Sequence, residues 1–156
     1  MERNQYFKAE SLSYLILATQ RHGNRVLNEI LKNVGLTTSK AEVLRVIHEE
    51  EKVSLKELGR LLICESGSPS RLVERMVQDD LIEKIVDKKD SRYVVLQLTP
   101  VGKEKAKLVR DIEQQLYDQI IQNYSEEELE LMCKLLFRFI KDHPFSETLI
   151  KRGYTM

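Results

Sequence analysis

The residues of this 156-residue chain whose types and spacing suit chemistry fall in two short stretches. The first is Ser66-Gly67-Ser68-Pro69-Ser70-Arg71, followed one helical turn later by Arg75; the second is Lys88-Lys89-Asp90-Ser91-Arg92. Serine hydroxyls donate or accept at base edges, and an arginine can hold guanine through two parallel hydrogen bonds in the major groove. Arg71 is the first choice for that base contact, with Ser66, Ser68, Ser70 and Arg75 on or near the same side. Lys88 and Lys89 suit phosphate oxygens, and an arginine at the end of a protruding turn, Arg92, suits the narrow, negatively charged minor groove. This is the chemistry of reading a duplex. Nothing comparable exists for catalysis: the chain has no phosphate-binding loop, no glycine-rich dinucleotide fingerprint, no nucleophile elbow and no helix of metal ligands. No cofactor or metal is expected, and the chain is expected not to be an enzyme.

The elements that must hold these residues are legible from their start signals. Ser39-Lys40-Ala41-Glu42, Ser54-Leu55-Lys56-Glu57 and Ser125-Glu126-Glu127-Glu128 all have capping-box spacing ahead of apolar residues at helical intervals. Thr99-Pro100 adds a fourth start, with proline in the first helical position where its missing amide costs nothing. Apolar periodicity then predicts a long helix near Tyr6 to Leu31 and helices near Ser39 to Glu50, Ser54 to Leu62 and Ser66 to Asp79. Two more are predicted near Pro100 to Tyr124 and Glu126 to His143. Within the Ser66 to Asp79 segment, Ser68 as cap with Pro69 as first residue fits best, and Leu72, Val73, Met76 and Val77 form the inward side. Only Ile82 to Leu98 alternates like strand, around the charged turn. The predicted order is four helices, a hairpin and two helices: mainly α with a small β-wing, a winged helix-turn-helix between long terminal helices. The tail from Pro144 to Met156, with Phe145, Leu149, Ile150 and Tyr154, either packs across a partner's first helix or frays.

Composition sets limits on this reading. Lys and Arg total 25 and Asp and Glu total 25, so net charge is zero, whereas affinity for phosphate comes from local cations. The segment Ser66 to Arg92 is itself balanced, with Arg71, Arg75, Lys84, Lys88, Lys89 and Arg92 against Glu74, Asp79, Asp80, Glu83, Asp87 and Asp90. Specific binding therefore requires the cations to sort onto one face while the carboxylates pair or turn away. A protein-interaction module that has stopped binding DNA is the alternative that neutrality permits. Two cysteines, no long apolar run and no leader pattern point to a reduced cytoplasmic setting without membrane attachment. Cys64 and Cys133 both read as packed thiols. Terminal helices of this length cannot all be buried against one small lobe, so a second copy is expected to cover them, and two-fold symmetry suits a palindromic site.

Taken together, the segments SLKELGRLLICESGSPSRLVERMVQDDLI and Asp90-Ser91-Arg92, with Leu98-Thr99 and Gly102 after them, resemble the MarR-type (multiple antibiotic resistance regulator) winged helix-turn-helix transcription factors. The resemblance extends over nearly the whole chain. It implies a homodimeric transcriptional regulator, a repressor on double-stranded DNA, with residues 1–35 and 100–156 as the dimerisation region and 36–99 as the DNA-binding lobe. It further implies that Asp90 stabilises the wing while Arg92 reaches the minor groove, and that a small aromatic or phenolic effector binds between lobe and dimerisation helices. The chain departs from the pattern at Ile63 and Cys64, in the turn where a glycine and an aliphatic residue are common, and at Asp80, where a glycine often follows the recognition helix. An aspartate tolerates the left-handed conformation at modest cost; an isoleucine does not.

Overall fold

The computed structural model describes residues 2–64, 67–86 and 93–154. Ser66, Lys88, Lys89, Asp90 and Arg92 therefore lie outside the described residues. The elements are α1 (Glu2–Lys32), α2 (Thr38–Glu50), β1 (Val53–Ser54), α3 (Leu55–Leu61), α4 (Pro69–Gln78), β2 (Ile82–Val86), β3 (Val94–Leu98), α5 (Pro100–Asn123), α6 (Glu126–Ile140) and α7 (Pro144–Lys151). They divide into two compact units, residues 1–38 and residues 39–156.

The first unit is the long helix and its exit. Gly35 takes φ 73°, and the amides of Gly35 and Leu36 return to the carbonyls of Lys32 and Leu31 at 3.1 and 3.0 Å. This paired closure satisfies carbonyls that a helix end otherwise leaves open, and it needs a residue without a Cβ penalty. Asn28 Oδ1 then accepts from the Thr38 hydroxyl at 2.7 Å, tying the exit back to the helix.

The second unit is built on a three-stranded antiparallel sheet in the order β1-β3-β2. Ile82 pairs with Leu98 and Val86 with Val94, so Ile82, Leu96 and Leu98 face the core while Glu83 faces outward. Strand β1 pairs Val53 with Leu96. It was invisible to periodicity because two residues carry no alternation to detect. Around the sheet, Val43, Leu44, Val46 and Ile47 of α2, Leu58 of α3, Leu72, Val73 and Met76 of α4, and Val109 of α5 are buried. Full burial stabilises by about 1.5–3 kcal/mol for each such side chain, before the entropy of ordering the chain is subtracted.

The starts at Ser54, Thr99 and Ser125 form as the sequence predicts. Ser54 and Ser125 each accept from the third amide while Glu57 and Glu128 reach back to the capping amide. Thr99 Oγ1 accepts from Gly102 N at 2.9 Å, with Pro100 in the first turn. The box expected at Ser39 does not form. Helix α2 begins one residue earlier, the Ser39 hydroxyl donates to Cys64 O at 3.2 Å, and Glu42 turns inward. A buried claim on its carboxylate outcompetes the local cap. The tail also differs from expectation, because Pro144 to Lys151 forms α7, with His143 Nδ1 accepting from Phe145 N at 3.2 Å. That helix packs on α3 of its own chain, where the Thr148 hydroxyl donates to Arg60 O at 3.0 Å.

Candidate nucleic-acid interface

The interface begins with the cap of α4. Ser68 is its N-cap in extended conformation, accepting from Arg71 N at 3.5 Å, and Pro69 is the first helical residue. The helix is thus shorter than the Ser66 to Asp79 expectation, since nothing before Ser68 can continue through the proline in helical geometry. Leu72, Val73 and Met76 are buried and Val77 is half-buried; Ser70, Arg71, Glu74, Arg75 and Gln78 are exposed. Residues four apart on a helix share a face, so Arg71 and Arg75 project together, as do Ser70 and Glu74.

The far end of α4 is closed by a two-bond turn. Asp80 sits at φ 56° and donates to Val77 O at 3.0 Å, while Leu81 N donates to Met76 O at 2.9 Å, with both Leu81 and Met76 buried. The left-handed aspartate accordingly does the work a glycine would do there. Its carbonyl accepts from the Thr99 hydroxyl at 2.6 Å, and Leu81 O accepts from Thr99 N at 3.2 Å, so the end of α4, the wing and the start of α5 meet at one point. Gly102 closes that junction: a Cβ placed on it would lie 2.0 Å from Leu81 O.

Two carboxylates at this surface find cationic partners. Glu74 is paired with Lys84 of β2, and Asp79 with Lys40 of α2 at 2.5 Å. The side chains of Arg71 and Arg75 make no ion pair or hydrogen bond with another described residue. The exposed side of α4 therefore carries two arginines unpaired among the described residues, beside a neutralised Glu74. Lys40 as the counter-ion of Asp79 could not be read from the sequence, because the two are far apart in the chain and share no periodicity. Lys84 was counted as a cation of the reading segment, but its partner depends on how β2 lies beside α4.

The turn between α3 and α4 departs from expectation in one respect and agrees in another. Neither Ile63 nor Cys64 adopts positive φ, so the turn takes a different route from one hinged on glycine. Its amides at Ile63 and Cys64 donate to the Glu42 carboxylate at 2.9 and 2.7 Å. Contrary to the expectation of packed thiols, Cys64 and Cys133 are both exposed. Helix α6 buries none of its residues against its own chain, which leaves Cys133 at the surface. Burial of the thiol group, and then the adjacent Glu42 carboxylate, nevertheless push Cys64 up to about 11.

A second feature of this unit is a cavity of about 260 Å³ between α2 and α5, lined by Arg45, His48, Ala106, Val109, Glu113 and Tyr117 among others. Arg45 donates to Glu113 at 3.2 Å and to the Tyr117 hydroxyl at 3.1 Å. Burial raises the Glu113 carboxyl against the opposing pull of Arg45. Among the described residues no cluster of three or more His, Cys, Asp or Glu could hold a metal ion, and no helix is long and apolar enough to cross a membrane.

Comparison with known proteins agrees with this geometry. Residues 36–102 match the model of the winged helix DNA-binding domain. The chain is 25% identical to the HTH-type transcriptional regulator SarZ of Staphylococcus epidermidis over 148 residues, covering 95% of this chain and 97% of that protein. It is 29% identical to the HTH-type transcriptional regulator MgrA of Staphylococcus aureus, covering 93% and 97%. Among solved structures, a mutant of MarR from E. coli complexed with operator DNA superposes with a TM-score of 0.72 at 25% identity, covering 83% of this chain and 93% of that one. With its helix-turn-helix, its three-stranded sheet and its helices in this order, the chain has a winged helix-turn-helix fold that is similar to MarR and to the regulators SarZ and MgrA.

Proposed function

We propose that this protein is a sequence-specific transcriptional repressor that binds a pseudo-palindromic operator as a homodimer and releases it when a small aromatic or phenolic effector binds. The observation that carries the reading is the pairing of charge at α4, where Glu74 and the capping Asp79 are paired and Arg71 and Arg75 are left available on the exposed face. Helix α4 would lie in the major groove, with Ser68, Ser70, Arg71 and Arg75 toward base edges and phosphates. Ser66 would extend that row, Lys88 and Lys89 would contact phosphate, and Arg92, braced by Asp90, would enter the minor groove; these assignments rest on the motif.

The dimer is supported by apolar surface that the second unit leaves uncovered. Tyr117, Ile120, Ile121 and Tyr124 on α5, and Leu131, Leu135, Leu136 and Phe139 on α6, are all exposed, Phe139 at 65%. Contiguous apolar surface of this kind marks an association site. Residues 1–35 and 100–156 would then form the dimerisation region and 36–99 the DNA-binding lobe. A two-fold axis would set the recognition helices about one duplex turn, ~34 Å, apart. The effector would occupy the cavity between α2 and α5, which is slightly below the ~300–1,000 Å³ usual for drug-sized ligands and so suits a single ring. Binding that favours a dimer with a different separation would lower operator affinity by the ligand's differential affinity for the two states.

Selecting bound duplexes from a random pool at two salt concentrations, with and without phenolic ligands, tests the reading. A recovered palindrome whose affinity falls with salt and with ligand is expected. Absence of duplex binding at either salt would instead favour the protein-interaction module that the balanced charge of this segment allows.

A further inference from the structure

The turn that joins the two reading helices is held from an unexpected direction. The Glu42 carboxylate, on the inner side of α2, accepts from Ile63 N at 2.9 and 3.0 Å through its two oxygens and from Cys64 N at 2.7 Å. It is held in turn by Arg152 Nη1 at 2.8 Å, with the Arg152 and Glu42 side chains only 7% and 6% exposed. Arg152 caps the end of α7, so the turn that follows this helix reaches the helix-turn-helix connection. Two further bonds fasten the same segment: the Thr148 hydroxyl donates to Arg60 O in the last turn of α3 at 3.0 Å, and Arg45 Nη2 donates to the Tyr154 hydroxyl at 2.7 Å. The Arg152 guanidinium also lies 5.6 Å from the centre of the Tyr154 ring.

A buried ion pair is an expensive way to gain stability, because desolvation of both charges offsets most of their attraction. Here the cost is not even fully recovered, since Arg152 Nε is buried without a partner. What the arrangement does provide is direction. A carboxylate fixed by a buried guanidinium holds two consecutive amides of the α3–α4 connection, just beyond the end of α3.

Building on the DNA-reading function proposed above, we propose that Arg152 is a positioning residue for that reading: through Glu42, the C-terminal turn fixes the helix-turn-helix connection and hence the presentation of α4. Because α7 follows directly on α6, whose apolar side is uncovered, a displacement of α6 has a mechanical path to the recognition helix that does not pass through the wing. Coupling of this kind needs two arrangements of one element that both ends bias, and the C-terminal turn seated on or lifted off Glu42 supplies them.

Three variants of the full-length protein test this: Arg152→Met, which keeps the apolar stem and removes the charge; Arg152→Lys, which keeps the charge; and the double variant Glu42→Gln with Arg152→Met, which removes both buried charges. Amide exchange at Ile63 and Cys64, thermal unfolding, and affinity for the selected duplex are measured on each. Arg152→Met is expected to speed exchange at both amides by at least about tenfold and to weaken the duplex by about tenfold, with Arg152→Lys near wild type. The double variant is expected to recover thermal stability, since no unpaired buried charge remains, without recovering amide protection or duplex affinity. Recovery of affinity together with stability would show that Arg152 merely supports the fold, and unchanged exchange at Ile63 and Cys64 in Arg152→Met would overturn the proposal outright. If the wild-type protein selects no duplex, DNA reading fails as a function, while the exchange data still decide whether Arg152 holds the turn.

Discussion

Replacing Gly102 by alanine should be destabilising in spite of every local rule that favours it. In the first turn of a helix, Gly→Ala ordinarily stabilises, by up to about 1 kcal/mol, through helix propensity and a less disordered unfolded chain. Gly102 lies in the first turn of α5, but its Cβ would meet Leu81 O at 2.0 Å and Leu81 C at 3.0 Å. Ordinary van der Waals contact begins at 3.4 Å, so the two segments must separate by about 1.4 Å. Neither side can yield as a rotamer, because both atoms belong to backbone or to a fixed Cβ. Overpacking of this kind costs about 1–3 kcal/mol. The displacement also strains the bond from Gly102 N to Thr99 Oγ1 at 2.9 Å, and loss of such a cap adds about 1 kcal/mol. After the propensity gain is subtracted, a net loss of about 1–4 kcal/mol is expected, which for a chain of this size lowers Tm by roughly 2–15 °C. Urea unfolding followed by circular dichroism measures it. Gly23→Ala is the control, because Gly23 lies within α1 with nothing within 4 Å of its Cβ position, and a gain approaching 1 kcal/mol is expected there. A loss below about 1 kcal/mol for Gly102→Ala would mean that the wing root and α5 are not in the contact described.

Three other outcomes follow from the site. Arg71→Ala should cost about 1–3 kcal/mol of discrimination between the selected operator and its single-base variants, measured by titration of each duplex; equal losses on operator and random DNA would reduce Arg71 to a phosphate contact. Lys84→Ala should weaken operator binding several-fold at low salt, because it leaves the Glu74 carboxylate unbalanced on the exposed face, while the paired change Glu74→Gln should restore it. Persistent weakness in the pair would show that Lys84 acts on phosphate directly. For Cys64, the raised pKa of about 11 predicts an alkylation rate that keeps climbing beyond pH 9, where an ordinary thiol levels off. The same shift means the folded state holds that proton more tightly than the unfolded chain, so its contribution to stability is complete below about pH 9 and is lost as pH rises toward 11. A plateau near pH 9, measured with Cys133 replaced by serine, would contradict the burial and the Glu42 charge said to cause it.

Much of the architecture was written in local rules. Capping at Ser54, Ser68, Thr99 and Ser125 needs only a hydroxyl, the third amide and, in two cases, a glutamate, so spacing along the chain suffices to place those helix starts. The hairpin declared itself by alternation, and the order of helices and strands around it identified a winged helix-turn-helix. The same local rules failed at Ser39, where the box was present but Glu42 had a stronger claim on it from amides more than twenty residues away. They also missed β1, too short to show a period, and α7, whose start rests on a histidine cap.

The sequence by itself could count charges but not aim them. Six cations and six carboxylates between Ser66 and Arg92 leave the sign of the reading face open, because Coulomb energies depend on distances that spacing along a chain does not specify. Folding laid β2 beside α4 and α2 beside its C-terminal end, so that Lys84 reached Glu74 and Lys40 reached Asp79. It likewise carried Arg152 across the whole second unit to Glu42. Helices, caps and the wing are properties of neighbours in sequence; the charge pairing at α4 and the hold on the turn before it are properties of neighbours in space.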